Sequence, residues 1–169
     1  GQILIRSLLD RTLKIAGRAL AVAAPAGLII WLSANINIGD KSLLLICSSA
    51  LEPVGRLMGL DGIILMSFIL SLPANETVIP IMAMAYSGVG VLSETGTSEL
   101  SALLSQNGWT PVTAICMIVF CLFHWPCSTT LLTIKKETGS FMWAALSVIL
   151  PTIFGVVICI LINLISKLF

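Results

Sequence analysis

The sequence predicts an all-α, polytopic transmembrane helical bundle with two proline-broken spans and a re-entrant segment. Three observations carry that fold class. Hydrophobic residues make up 57% of the 169 and charged residues only 10%, with a mean hydropathy of +1.07. Ordinary soluble domains carry about 25% charged residues, so the solvent of this chain is lipid. Apolar stretches of bilayer-crossing length recur along it. The third observation is Gly62–Tyr86, almost wholly apolar, with one carboxylate, Glu76, bracketed by Pro73 and Pro80. Each proline removes a backbone N–H and clashes one turn back, so an unbroken helix is not expected there. A charge at that depth is costly unless it meets a cation, a proton or water. A broken helix with an acid at the break is a binding-site pattern, and the other elements are read around it.

In chain order, residues 2–18 space Arg6, Asp10, Lys14 and Arg18 four apart on one drifting face, with Arg6–Asp10 and Asp10–Lys14 able to pair. This predicts an amphipathic interfacial helix, its cations on the cytoplasmic side. Ala19–Asn35 is charge-free and predicts a first span, bent at Pro25. Ser42–Leu51 is too short to cross alone and runs into Glu52-Pro-Val-Gly-Arg56 and a Gly/Asp turn. It is expected to re-enter, with Glu52 pairing Arg56 four residues on. Gly62–Tyr86 is the broken second span. Ser87–Gly108 is a polar connection carrying Glu94 and Glu99, and Trp109 and Pro111 open a third apolar stretch to Ile134. Lys135–Ser140 is expected as a tight basic loop before a last span, Phe141–Ser166, kinked near Pro151. With four crossings and the N-terminus inside, the lysine loop falls outside, against the positive-inside trend. A full crossing by 42–60 would mend that.

Composition excludes other classes. A net charge of +1 with no basic tract gives no footing for nucleic acid. Five cysteines, an odd number within apolar stretches, are not a secreted disulfide framework. The chain opens on Gly rather than Met and shows no signal-peptide pattern, which points to a piece of a longer membrane protein or one subunit of a split one.

The third apolar stretch contains a second break, Cys121-Leu-Phe-His-Trp-Pro-Cys127-Ser-Thr-Thr130. His124 is the only histidine, Cys121 precedes it by three and shares its helical face, and Pro126 stops the helix. Neutral imidazole and thiolate suit borderline divalent metals such as Fe(II), Zn(II) and Cu. Discontinuous helices are where secondary transporters place their sites. The candidate ligands are therefore Glu76 with Asn75 beside it, His124, Cys127 and, from spacing alone, Cys121. Cys47, Cys116 and Cys159 read as small apolar fillers, and Met82, Met84 and Met117 as gap-fillers. Asn75-Glu-Thr77 is formally a glycosylation acceptor, a use its depth excludes.

Leu72-Pro-Ala-Asn-Glu-Thr-Val-Ile-Pro80, His124-Trp-Pro-Cys-Ser-Thr-Thr130 and Ile134-Lys-Lys-Glu-Thr-Gly139 resemble the C-terminal membrane half of the bacterial ferrous iron transport protein B family. Arg18-Ala-Leu-Ala-Val-Ala-Ala-Pro-Ala-Gly27 is similar to the opening of that family's second Gate motif. The resemblance implies a non-enzymatic, multi-pass part of an inner-membrane Fe2+ permease. The ion would be cargo, with no permanently bound cofactor. GTP and Mg2+ would belong to a GTPase domain beyond this sequence, and a first Gate half would complete the path. Cys127 matches the cysteine proposed to line that path, and Glu76 the acid of the Pro-Ala-Asn-Glu motif. The chain then divides into the interfacial helix (1–18), a Gate-type membrane region (19–88), a polar connecting loop (89–110) and a C-terminal helix pair (111–169). Partners implied are the bilayer, the missing half and the GTPase domain, with a homo-oligomer left open. The alternatives are a Gate-type transporter of a nucleoside or other organic solute, an intramembrane enzyme using Glu76 and His124, and a structural subunit.

Overall fold

A backbone in lipid must satisfy its own N–H and C=O groups, and the apolar stretches accordingly form helices. The computed structural model describes residues 2–39, 41–88 and 96–168. Their order is α1 (Gln2–Asn35), a minimal antiparallel hairpin of β1 (Asn37–Ile38) and β2 (Lys41–Ser42), α2 (Leu43–Leu57), α3 (Gly62–Leu70), a 3₁₀ turn (Asn75–Thr77), α4 (Val78–Ser87), α5 (Thr97–Gln106), α6 (Pro111–Phe123), α7 (Ser128–Thr138) and α8 (Phe141–Leu168). This is an all-α transmembrane bundle. Among the described residues, Pro111–Thr138 and Phe141–Leu168 are each long and apolar enough to cross a membrane. The pair α2–α3 joins them as a third apolar unit, bent by 112°.

The stretches expected as an interfacial helix and a first span run on as one 34-residue helix with Pro25 inside it, of which Ala23–Asn35 is an apolar part too short by itself to rank with the two crossing-length elements. The side chains of Arg6, Asp10, Lys14 and Arg18, like residue Glu94, lie outside those described.

The corner between α2 and α3 is built from glycines and carboxylates. Gly59 takes φ +73, the left-handed turn, and Asp61 then caps α3 by accepting from the Ile64 N–H at 2.7 Å. Glu52 accepts from Arg56 Nε at 2.8 Å, as its spacing predicts, and from the Gly62 N–H at 2.7 Å. A Cβ on Gly62 would run into the Ser48 carbonyl, and one on Gly55 would lie 2.6 Å from the Asp61 carbonyl carbon. From α8, Asn163 Nδ2 donates to the carbonyls of Arg56 and Leu57 at 2.9 and 3.0 Å, meeting two of the groups that the end of α2 leaves open.

The stretch 62–86 does not continue across as one interrupted span. Helix over 25 residues would part its ends by roughly 37 Å. Yet Tyr86 Oη donates to Asp61 Oδ2, and Trp109 Nε1 donates to Tyr86 Oη at 3.1 Å. So α3 and α4 form a hairpin whose tip is the Ser71–Thr77 break. Its inner face, Ile64 and Phe68 with Val78 and Met82, packs on Cys116 and Phe120 of α6 and Cys159 of α8. Cys116 and Cys159 behave as the fillers expected: both are fully buried, and the Cys159 thiol donates to the Cys116 carbonyl at 3.4 Å.

Two further differences concern the connections. The polar connection contains α5, with Leu100, Leu103 and Leu104 at helical spacing. The expected basic loop is helix as far as Thr138, so Lys135 and Lys136 occupy the last turn of α7 and only Gly139, at φ +64, and Ser140 make the turn.

The corner yields a prediction. Gly62→Ala is expected to cost about 3 kcal/mol through overpacking, whereas Gly17→Ala, with nothing within 4 Å, should be neutral or slightly stabilising. Unfolding of both variants followed by circular dichroism in mild detergent distinguishes them. Equal stabilities would mean that α2 and α3 do not meet so closely.

Candidate functional site

The two proline breaks of the sequence lie against each other. At the first, α3 ends at Leu70, and Ser71, fully buried, donates its Oγ to the Phe68 carbonyl at 2.8 Å and its N–H to the Ser67 carbonyl at 2.9 Å. Ala74 is extended (φ −149, ψ 109), and Thr77 donates both N–H and Oγ1 back to the Ala74 carbonyl at 3.0 and 2.7 Å. Pro73 lies in the break itself. Pro80 does not break anything: it lies in the first turn of α4, where backbone N–H groups have no helical partner to lose.

At the second break, α6 ends at Phe123, His124 turns extended (φ −70, ψ 170), and Cys127 becomes the N-cap of α7. The Ser128 N–H, first in α7, donates to the Leu72 carbonyl at 2.8 Å. A helix start and a helix end that the bilayer would leave unsatisfied thus complete one another.

His124 is held by rings and by one hydrogen bond. Its centroid lies 5.1 Å from that of Phe68, 6.4 Å from Phe120 and 6.1 Å from Trp125. Nδ1 stands 2.8 Å from the Cys121 carbonyl oxygen, which can only accept, so the proton of the neutral ring sits on Nδ1. Nε2 then carries a lone pair, and it is buried with no partner among the described residues. Asn75 Oδ1, Trp125 Nε1 and Ser128 Oγ share that condition. All four such atoms among the described residues belong to the two breaks. Buried polar atoms without partners are uncommon in folded proteins and mark places where water, an ion or another segment completes the structure.

The other candidates are placed as follows. Cys127 Sγ lies 3.1 Å from the hydroxyls of both Thr129 and Thr130. Glu76 is exposed on the 3₁₀ turn and has no ion pair among the described residues. Cys121 is exposed on α6, and what it supplies to the break is its carbonyl. Among the described residues, no three His, Cys, Asp or Glu side chains converge to hold a metal, so Glu76, His124 and Cys127 do not make a closed ligand set within this chain. Sequence reading places Ser128 at the break as one of the hydroxyls that follow Cys127, but it misses Trp125 as a member of the site. The signal for Trp125 was its position directly before Pro126.

Residues 16–141 match the family described as "Gate: Nucleoside recognition". The chain belongs to that family. Among curated proteins it is 30% identical to the Fe(2+) transporter FeoB of Staphylococcus aureus (strain MSSA476), over 83% of this chain and 21% of the relative. It is 29% identical to the Fe(2+) transporter FeoB of Leptospira biflexa, over 70% of the chain and 18% of the relative. It is 24% identical to the Fe(2+) transport protein A/Fe(2+) transporter FeoB fusion protein of Porphyromonas gingivalis, over 80% and 17%. These matches support the resemblance carried by the two motifs, and the chain spans about a fifth of the length of the relatives it matches. No solved structure matches it.

The docked breaks can be tested without transport. Ser128→Pro keeps the geometry of a helix start, since proline suits the first helical position and Cys127 is already extended (φ −60, ψ 157). It removes only the donor to Leu72 and the hydroxyl. We expect a loss of about 1–3 kcal/mol, with Ser128→Ala close to the parent in the same unfolding measurement. If both variants match the parent, the Leu72–Ser128 bond does not hold the breaks together.

Proposed function

We propose that this chain is the Fe2+-conducting membrane part of a FeoB-type transporter, and that Glu76, Cys127 and His124 Nε2, with Asn75 beside them, give the ion transient partners at the docked breaks. The observation that carries this reading is that the four unpartnered buried polar atoms found among the described residues all lie at two helix breaks joined by a backbone hydrogen bond. The names of the relatives supply the ion.

The chemistry follows from the donor types. Glu76 offers the negative charge that offsets a cation leaving water. Cys127 offers a soft sulfur and His124 a borderline nitrogen, which favour Fe2+ over harder divalent ions. An incomplete set suits transport, because an ion held by a closed cage leaves slowly. Water or other segments of the transporter complete the coordination. Coupling to a GTPase domain, pairing with a first Gate half and an inner-membrane location belong to the same proposal, supported by relatives about four times as long as this chain. Cys121 is retained as a positioning group, since its carbonyl fixes the tautomer of His124.

Uptake by the complete transporter carrying this chain tests the proposal. Glu76→Gln keeps the shape and removes the charge, and should lower Fe2+ uptake by more than about tenfold at unchanged membrane expression. Cys127→Ser hardens a ligand and should weaken Fe2+ uptake severalfold more than Mn2+ uptake. Parental transport by both variants would place the ion elsewhere and leave the breaks structural.

A further inference from the structure

Helices α7 and α8 leave a groove of about 350 Å³ between them that neither helix fills. Its α7 wall is Leu131, Leu132 and Lys135, and its α8 wall runs along Phe141, Ala145 and Val148. The space exists because α8 presents alanines between the bulky Phe141 and Val148. Its lining is almost entirely apolar, and it opens to the outside of the bundle, where Leu132 and Phe141 are 58% and 72% exposed.

The charge lies at one end only. Lys135 Nζ stands 5.8 Å from the centroid of the Phe141 ring, which keeps the ammonium at the mouth of the groove. Lys136 adds a second exposed cation in the same turn, and neither lysine has a carboxylate partner among the described residues. Glu137 projects about 200° around the helix from Lys135, away from the groove. The turn at Gly139–Ser140 joins two elements that are long and apolar enough to cross a membrane, and a bilayer crossed by both would have these cations at its surface.

An apolar slot open to lipid, ending in two unpaired cations at the headgroup level, has the chemistry of a phospholipid site with an anionic headgroup. We infer that the α7–α8 groove holds one acyl chain of an anionic phospholipid, with its phosphate on Lys135 and Lys136. A bound chain would also brace α7, whose first residue makes the bond to Leu72, so lipid composition would bear on the docked breaks.

Native mass spectrometry of the complete protein, purified from micelles with equimolar phosphatidylglycerol and phosphatidylcholine, tests this. The parent should retain phosphatidylglycerol in preference. Lys135→Gln with Lys136→Gln should lose that preference by roughly fivefold per charge removed, and these exposed substitutions leave the fold intact. Ala145→Phe, which fills the groove, should release lipid of both kinds. The inference fails if the charge variant keeps the full preference for phosphatidylglycerol, or if the parent retains no lipid. It also fails if a photo-crosslinker at Leu132 captures another protein segment instead of lipid.

Discussion

In hydrocarbon, the end of a helix is the expensive part of it, because the open N–H and C=O groups find no water. The hydrogen bond from the Ser128 N–H to the Leu72 carbonyl resolves two such ends with each other. Much else depends on this. Pro73 and Pro126 can interrupt two apolar stretches at depth only because the interruptions face one another. Once they do, the side chains that flank them, Asn75, His124, Trp125 and Ser128, are half-buried, each with one buried polar atom still open. The candidate site is therefore a consequence of how the backbone is satisfied, and the proposed transient binding of an ion draws on its incompleteness.

The opposite end of the α3–α4 hairpin is fastened by side chains. Asp61 caps α3 and accepts from Tyr86, Trp109 donates to Tyr86, and Glu52 holds the first N–H of α3. Between the fastened base and the docked tip, Phe68, Met82 and Phe120 fill the interior. A tip with incomplete polar satisfaction is carried on a base whose hydrogen bonds are made, so the open polar atoms gather at the tip. Sites supported by rigid elements hold their geometry better than sites on free loops.

Much of this was legible in the sequence, and the physical reasons separate what was from what was not. Hydropathy and proline act locally, so the helical class, both breaks, the Glu52–Arg56 pair and the turn before Gly62 could be read from short windows. The return of 62–86 could not. It depends on Asp61 meeting Tyr86 across 25 residues, and apolar periodicity is the same for a crossing helix and for a hairpin. Pro80 misled because its effect depends on where the next helix starts. The helix α5 was readable from Leu100, Leu103 and Leu104, but the surrounding Gly and Ser obscured it. For His124, spacing suggested a thiol partner in Cys121, whereas the structure supplies a carbonyl, and that distinction fixes which ring nitrogen is open.

The docking of the two breaks is most directly measured by cross-linking. In the complete protein with Cys47, Cys116, Cys121 and Cys159 replaced, Leu72→Cys is paired with the native Cys127 and treated with a short bifunctional thiol reagent. Docked breaks predict a linked peptide joining positions 72 and 127, detected by mass spectrometry after proteolysis, and none when Cys127 is replaced and Cys47 restored. Efficient single labelling of both 72 and 127 without a link between them would contradict the arrangement.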